Sequence, residues 1–284
     1  MEKRGKNMAM DYQALRKKAN DIRIGIIKSV YSAGSGHPGG SLSAADILTV
    51  LYFKEMNIDP ENPRMPGRDK FVLSKGHASP GIYSTLAERG FFPKEELLTF
   101  RKMGSKLQGH PDMKKVPGIE MSTGSLGQGF SAAVGMALAN KLDKDQGRIY
   151  VLMGDGELQE GMVWEAFMAA AHFKLDNLTV IIDWNGLQID GKNDDVMSVT
   201  PIDEKLKGFR WEVLTIDGHD LEEISYAFEK ARECKGKPFA IIAKTVKGRG
   251  VSFMENESGW HGKAPNKEQF EQALAELEKL GGEL

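Results

Sequence analysis

The chain has 284 residues, with 38 lysines and arginines against 40 aspartates and glutamates, a net charge of −2. That balance excludes the strong basic excess of a dedicated nucleic-acid binder. A single cysteine, Cys234, excludes an internal disulfide framework and a multi-cysteine zinc site, and the longest apolar stretches, such as 47–53, are far too short for a membrane span. The opening MEKRGKNMAM has no apolar signal region, so a cytoplasmic location is expected. Glycine is the outlier, at 32 residues.

In chain order, residues 10–30 read as an amphipathic helix, with Tyr12, Leu15, Ala19, Ile22, Ile26 and Val30 recurring at three- and four-residue steps. A second helix is expected over 44–53. Unbroken apolar runs follow at 71–73, 149–153, 178–182, 212–216 and 238–246, the pattern of strands covered on both faces. Helical stripes separate them. One comprises Leu158, Met162, Val163, Ala166, Phe167 and Ala170, and another Leu221, Ile224, Ala227, Phe228 and Ala231. Asp220 with Glu223 predicts a capping box before the second stripe, and 266–284 reads as one polar helix. Strand–helix alternation predicts an α/β fold, a mainly parallel sheet with helices on both faces. In such a fold, ligands bind beyond the carboxyl ends of the strands.

Two of those ends carry the chemistry. Gly154-Asp155-Gly156-Glu157 follows one strand and opens a helix, and Asp183-Trp184-Asn185-Gly186-Leu187 follows the next, 30 residues on. Alone, Gly-Asp-Gly reads equally as a strand-to-helix turn capped by its aspartate. With Asn185 at the neighbouring strand end, a carboxylate and an amide oxygen suit Mg²⁺ or Ca²⁺ rather than zinc. The glycines and the helix start suit a phosphate. The joint reading is a metal-bridged diphosphate site.

Four of the six histidines stand in glycine-rich loops: His37, His77, His110 and His261. Such loops suit imidazoles turned toward a ligand. His172, ending an alanine-rich helix, and His219, in a turn before a cap, read as structural, as does Cys234. The run Ser122-Thr123-Gly124-Ser125-Leu126-Gly127-Gln128-Gly129 suggests a loop pressed on a ligand or plain close packing. The basic segment 244–250 could touch phosphate or simply face solvent.

Together these motifs resemble the thiamine diphosphate enzymes, through Gly154-Asp155-Gly156 and Asn185, and transketolases in particular. The transketolase resemblance lies in Ser-Gly-His-Pro-Gly at 35–39, Ser-Lys-Gly-His at 74–77, Gly-His-Pro at 109–111, Gly-Asp-Gly-Glu-Leu-Gln-Glu-Gly at 154–161 and Ile-Asp-Gly at 189–191. It runs from about residue 11 to 265 and implies a thiamine diphosphate-binding fold spanning 1–284 as a single domain. It also implies that Asp155, Asn185 and the carbonyl of Leu187 hold the metal. Gly124, Ser125, Leu126, Gly154, Gly156, Glu157 and Ile189 would line the cofactor. His77 and His261 would approach it, His37 and His110 would bind sugar hydroxyls and move protons, and Glu160 would be a buried carboxylate at a dimer interface. Position 125 is serine where many transketolases have proline.

Transketolases are roughly twice this length, and their pyrimidine-binding and C-terminal domains, with the activating glutamate, have no counterpart here. The resemblance therefore implies the N-terminal subunit of a split transketolase, moving a two-carbon ketol unit between sugar phosphates in the pentose phosphate pathway. A second chain would carry the missing domains, in an expected two-plus-two assembly. The alternatives are half of a 2-oxo-acid dehydrogenase or of a deoxyxylulose-phosphate synthase-like enzyme, disfavoured by the histidine loops, or an inactive cofactor-binding scaffold.

Overall fold

The computed structural model describes residues 11–284. Met10, at the start of the expected 10–30 helix, and the charged opening segment lie outside the described residues. Helix α1 (Tyr12–Ala33) starts where Asp11 accepts a hydrogen bond from the Ala14 N–H at 2.7 Å. After α2 (Pro38–Leu42), helix α3 (Ala45–Val50) continues as a wider turn through Leu51–Glu55, which fills the expected 44–53 helix. Then come β1 (Lys70–Leu73), α4 (Ser79–Arg89), α5 (Gln128–Leu142), β2 (Ile149–Gly154), α6 (Gly161–His172) and β3 (Leu178–Trp184). A small hairpin, β4 (Leu187–Gln188) and β5 (Gly191–Lys192), leads into the single turn α7 (Asn193–Val196). The chain continues through α8 (Ile202–Gly208), β6 (Glu212–Asp217), α9 (Leu221–Glu233), β7 (Phe239–Lys244) and α10 (Lys267–Glu283).

The five apolar runs form one parallel sheet in the order β1-β2-β3-β7-β6. Alternation along each strand sends side chains into two separate cores. Tyr150, Leu152, Phe239 and Ile241 enter one with α3, α4 and α9, while Val151, Met153, Ala240 and Ile242 enter the other with α5 and α6. In the second core Phe130, Phe167 and Trp211 pack with ring centroids 4.7–6.2 Å apart, and the Trp211 indole N–H donates to the Phe167 carbonyl at 2.9 Å. Burial of each such ring is worth about 1.5–3 kcal/mol. Strand β6 departs from the expected pattern. It is an edge strand, with Glu212, Val213 and Leu214 half-buried and Thr215 exposed, so one side lacks a covering layer.

Two further expectations need correction. Asp220 caps α9, accepting from the N–H groups of Glu222 and Glu223, but no capping box forms because the Glu223 carboxylate accepts from the Asp217 N–H at 2.8 Å. Helix α10 has a true capping box at Asn266 and Gln269, but it is not wholly polar. Phe270 stacks on Tyr31 at 3.9 Å between centroids, and Ala273 and Leu277 are fully buried with Ile22 and Ile26 of α1.

Candidate active site

Strands β2 and β3 pair in parallel with Gly154 opposite Asp183, so the loops bearing Asp155 and Asn185 leave the sheet at the same edge. Asp155 is 2% exposed. One of its carboxylate oxygens accepts from the Gly156 N–H at 2.8 Å and the other from the Gly186 N–H at 2.6 Å. Burial, then the charge of Asp183, raise its pKa to about 6 despite those bonds. Asn185 bends its amide oxygen onto the Leu187 N–H at 3.1 Å, making the turn into the β4–β5 hairpin. The Leu187 carbonyl accepts from Lys247 Nζ at 2.9 Å. Among the described residues no three histidine, cysteine or carboxylate side chains converge on a common metal position. A metal here would use one carboxylate, neutral oxygens and the oxygens of its own ligand, which suits a hard cation.

The glycines of the site divide into two kinds. A Cβ on Gly76 would lie 2.7 Å from Thr123 Oγ1 and 2.8 Å from the Gly124 nitrogen, and Gly127, at φ +81°, would drive one into Met162 at 2.7 Å. Packing and backbone conformation demand those two. By contrast, a Cβ on Gly154 would meet only Lys75 at 3.7 Å, and one on Gly156 nothing nearer than 3.4 Å. The fold would tolerate side chains there, and their absence leaves an open cradle on either side of Asp155.

Glu157 is buried, 2% exposed, with its carboxylate taken up by protein donors. Its carboxylate accepts from Ser74 Oγ at 2.5 Å, from the Gly127 N–H at 2.8 Å and from the Gly154 N–H at 3.2 Å. It ties the ends of β1 and β2 to the start of α5. Burial raises its pKa while those three donors oppose the rise.

Three of the four loop histidines converge. The rings of His37, His77 and His261 lie 5.0–5.5 Å apart, centroid to centroid. Burial first, and then neighbouring positive groups, hold all three in the neutral form: His37 is lowered to about 4, His261 to about 3 and His77 well below its ordinary value. Lys247 Nζ lies 3.0 Å from His261 Nδ1, which makes that nitrogen an acceptor while the lysine is charged. Arg101 Nη2 likewise faces His37 Nδ1 at 3.4 Å. His110 stands apart and exposed. A Cβ built on Gly124 would sit 3.4 Å from its ring, and burial followed by Arg101 lowers its pKa. Gly124 and Leu126 are half-buried. Ser125, Ile189 and Glu160 are exposed, Ile189 at 67%.

Several residues here were not singled out from sequence. Lys75 and Asp183 form a wholly buried ion pair, and Lys75 also donates to the Gly40 carbonyl at 2.8 Å. Ser43 and Thr245 hydroxyls donate to the same Asp183 carboxylate. Burial raises the pKa of Asp183, but Lys75 and these donors outweigh it and hold the group below its usual range. Lys247, 2% exposed, is lowered to about 8 by burial. The signal for Lys247 was its place in the basic segment after β7, but nothing in that segment distinguishes a buried lysine from an exposed one. His219 fits its structural reading. His219 Nε2 accepts from the Val246 N–H at 2.8 Å and Nδ1 faces Asp46 at 2.8 Å, while His172 is exposed at the end of α6. No helix among the described residues is long and apolar enough to cross a membrane.

Comparison with known proteins matches residues 15–281 to the family of the transketolase thiamine diphosphate-binding domain. The chain is 46% identical to the 6-deoxy-6-sulfo-D-fructose transketolase subunit SqwG of Clostridium sp. strain MSTE9, over 94% of this chain and 97% of that protein. It is 44% identical to one subunit of the apulose-4-phosphate transketolase of Phocaeicola vulgatus, over 94% of this chain and 95% of that one. Human transketolase is 46% identical over 93% of this chain, which spans 42% of the human protein. The crystal structure of Campylobacter jejuni transketolase superposes with a TM-score of 0.89 at 38% identity, covering 95% of this chain and 43% of that one.

Proposed function

This chain belongs to the transketolase family as its thiamine diphosphate-binding domain, and from that premise we propose that it is the N-terminal subunit of a two-chain transketolase. Its activity would be transfer of a two-carbon ketol unit from a ketose phosphate to an aldose phosphate, with thiamine diphosphate and Mg²⁺ as cofactors. The observation that carries this reading is the open cradle around buried Asp155, flanked by two glycines that the fold does not require, with the charge of Lys247 acting on Asp155 while its Nζ holds the Leu187 carbonyl two residues past Asn185.

The residues fit the cofactor. Asp155, Asn185 and the Leu187 carbonyl would hold the metal as oxygen donors, and Lys247 would neutralise a phosphate. Gly124, Ser125, Leu126, Gly154, Gly156 and Ile189 would line the bound molecule. Glu157 would act indirectly by fixing the three loops that meet there. Bound thiamine diphosphate supplies the electron sink for breaking a carbon–carbon bond beside a carbonyl. The neutral His37, with Nδ1 facing Arg101, presents a protonated Nε2 that can donate to a sugar hydroxyl. His77 and His261 offer neutral donors and acceptors at the same place, and His110 can exchange a proton from the rim.

The partner reading rests on exposed apolar surface, which marks contact sites. Ile189, Val196 and Met197 are 67%, 43% and 62% exposed beside the cofactor cradle, where a second chain with the pyrimidine-binding domain would close over it. Leu142, Met168 and Phe173 on or just after α5 and α6, at 75%, 58% and 48%, would meet a second copy of this chain in a two-plus-two assembly, with Glu160 at that contact. Phosphorylated sugars do not cross membranes unaided, and a cytoplasmic site of action accords with them. Calorimetric titration with thiamine diphosphate tests the cofactor reading: binding should require Mg²⁺ and disappear in Asp155→Ala. Unchanged binding in that variant would refute it.

A further inference from the structure

Asn193 is 3% exposed, yet neither Nδ2 nor Oδ1 of its amide has a hydrogen-bond partner. Buried polar groups are nearly always satisfied. Two other asparagines with a buried orphan atom, Asn20 and Asn177, have only the oxygen free, since their Nδ2 groups donate to the carbonyls of Leu277 and Ala137. Among the described residues, Asn193 is the one amide with both ends buried and unspent.

Its position indicates what completes it. Asn193 stands at the foot of the β4–β5 hairpin, and its backbone N–H donates to the Gly186 carbonyl at 2.9 Å. The Gly186 N–H in turn donates to Asp155. The side-chain oxygen lies 3.7 Å from where a Cβ on Gly156 would be, bordering the cradle that glycine leaves open. The amide leans toward the Asp155 carboxylate closely enough to favour its charged form, without completing a hydrogen bond.

We propose that Asn193 is a further cofactor-binding residue, whose Oδ1, the amide atom nearest the Gly156 cradle, would accept a hydrogen bond from a water of the bound cation while Nδ2 would support the Asp155 carboxylate. This inference rests on the cofactor reading given above. It assigns a role to a residue eight positions past Asn185, outside the Gly-Asp-Gly…Asn pattern, and explains why an amide is kept where the protein alone leaves it unsatisfied.

The test compares wild type, Asn193→Leu, Asn193→Ala and Asp155→Ala on the full chain, measuring melting temperature without ligand and affinity for thiamine diphosphate at fixed Mg²⁺. Asn193→Leu keeps the volume and removes the orphan atoms, so its ligand-free melting temperature should equal or exceed that of wild type. Its cofactor affinity should fall about tenfold or more, the usual effect of losing a group that supports a metal site. A lowered ligand-free melting temperature in both Asn193 variants, with affinity unchanged, would make the residue structural and overturn the inference. Loss of affinity in Asp155→Ala but not in the Asn193 variants would overturn it alone. Unchanged affinity in Asp155→Ala, or no binding by wild type, would overturn the site reading and this inference together.

Discussion

Lys247 Nζ donates to the Leu187 carbonyl oxygen at 2.9 Å, so an ammonium group rests on one of the three oxygens assigned to the metal. A divalent cation at that oxygen repels the ammonium, which must then find an anion, and a diphosphate provides one. Lys247→Met should therefore act in opposite directions on the two ligands. Mg²⁺ affinity without cofactor should rise. Thiamine diphosphate affinity should fall about 10–100-fold, the cost of a hydrogen bond to a charged group. Calorimetry with each ligand separately checks both, and a parallel loss of the two would show that Lys247 merely supports the fold.

The same two groups set a pH window. Asp155, at about 6, must be ionised to hold a metal, and Lys247, at about 8, must be protonated to hold a phosphate. Cofactor affinity should be greatest between about pH 6 and pH 8. It should weaken below that range through Asp155 and above it through Lys247. In Lys247→Met the alkaline limb should vanish and the acid limb remain.

Asp155 also links function to stability. Its folded pKa, about 6, lies above the ordinary 3.8, so the stability this group contributes is complete below about pH 3.8 and lost as pH rises through 6. At pH 7 the buried charge costs about 3 kcal/mol. Asp155→Asn removes that charge but can accept only one of the two backbone bonds, a loss of about 1 kcal/mol. Without ligand the variant should be about 1–2 kcal/mol more stable than wild type at pH 7, in urea denaturation, and it should not be stabilised by Mg²⁺ with thiamine diphosphate.

Lys75 and Asp183 should behave oppositely. They are 2% and 0% exposed, and removing one partner strands the other in the interior. Asp183→Ala should cost about 3–5 kcal/mol. Replacing both with apolar residues should cost much less, and a double-mutant cycle in urea measures the difference. Because Lys75 also holds the Gly40 carbonyl, next to the His37 loop, the double variant should keep its fold better than its cofactor affinity.

The sheet was legible in the sequence because parallel strands buried on two faces leave unbroken apolar runs. All five expected strands lie within about two residues of their observed limits, save that edge strand β6 is only half covered. That the loops bearing Asp155 and Asn185 share one sheet edge was legible because a βαβ unit brings neighbouring strand ends together at a short spacing. Contacts across long separations were not. Lys75 meets Asp183 from 108 residues away, and Lys247 reaches Leu187 from 60. Lysine composition alone argues for solvent, so neither residue announced its burial. Helix α10 read as polar because charges dominate it, although Phe270, Ala273 and Leu277 recur at helical spacing on one face. The four loop histidines were read as one class, but only the fold separates the clustered, half-buried trio from exposed His110.

The most direct test of the proposed function is ketol transfer from xylulose 5-phosphate to ribose 5-phosphate with thiamine diphosphate and Mg²⁺, for this chain alone and mixed with a chain carrying the pyrimidine-binding domain. Activity should appear only in the mixture and be lost with Asp155→Ala. Full activity from this chain alone would contradict the two-chain reading, and an inactive mixture that still binds cofactor would contradict ketol transfer between these sugars.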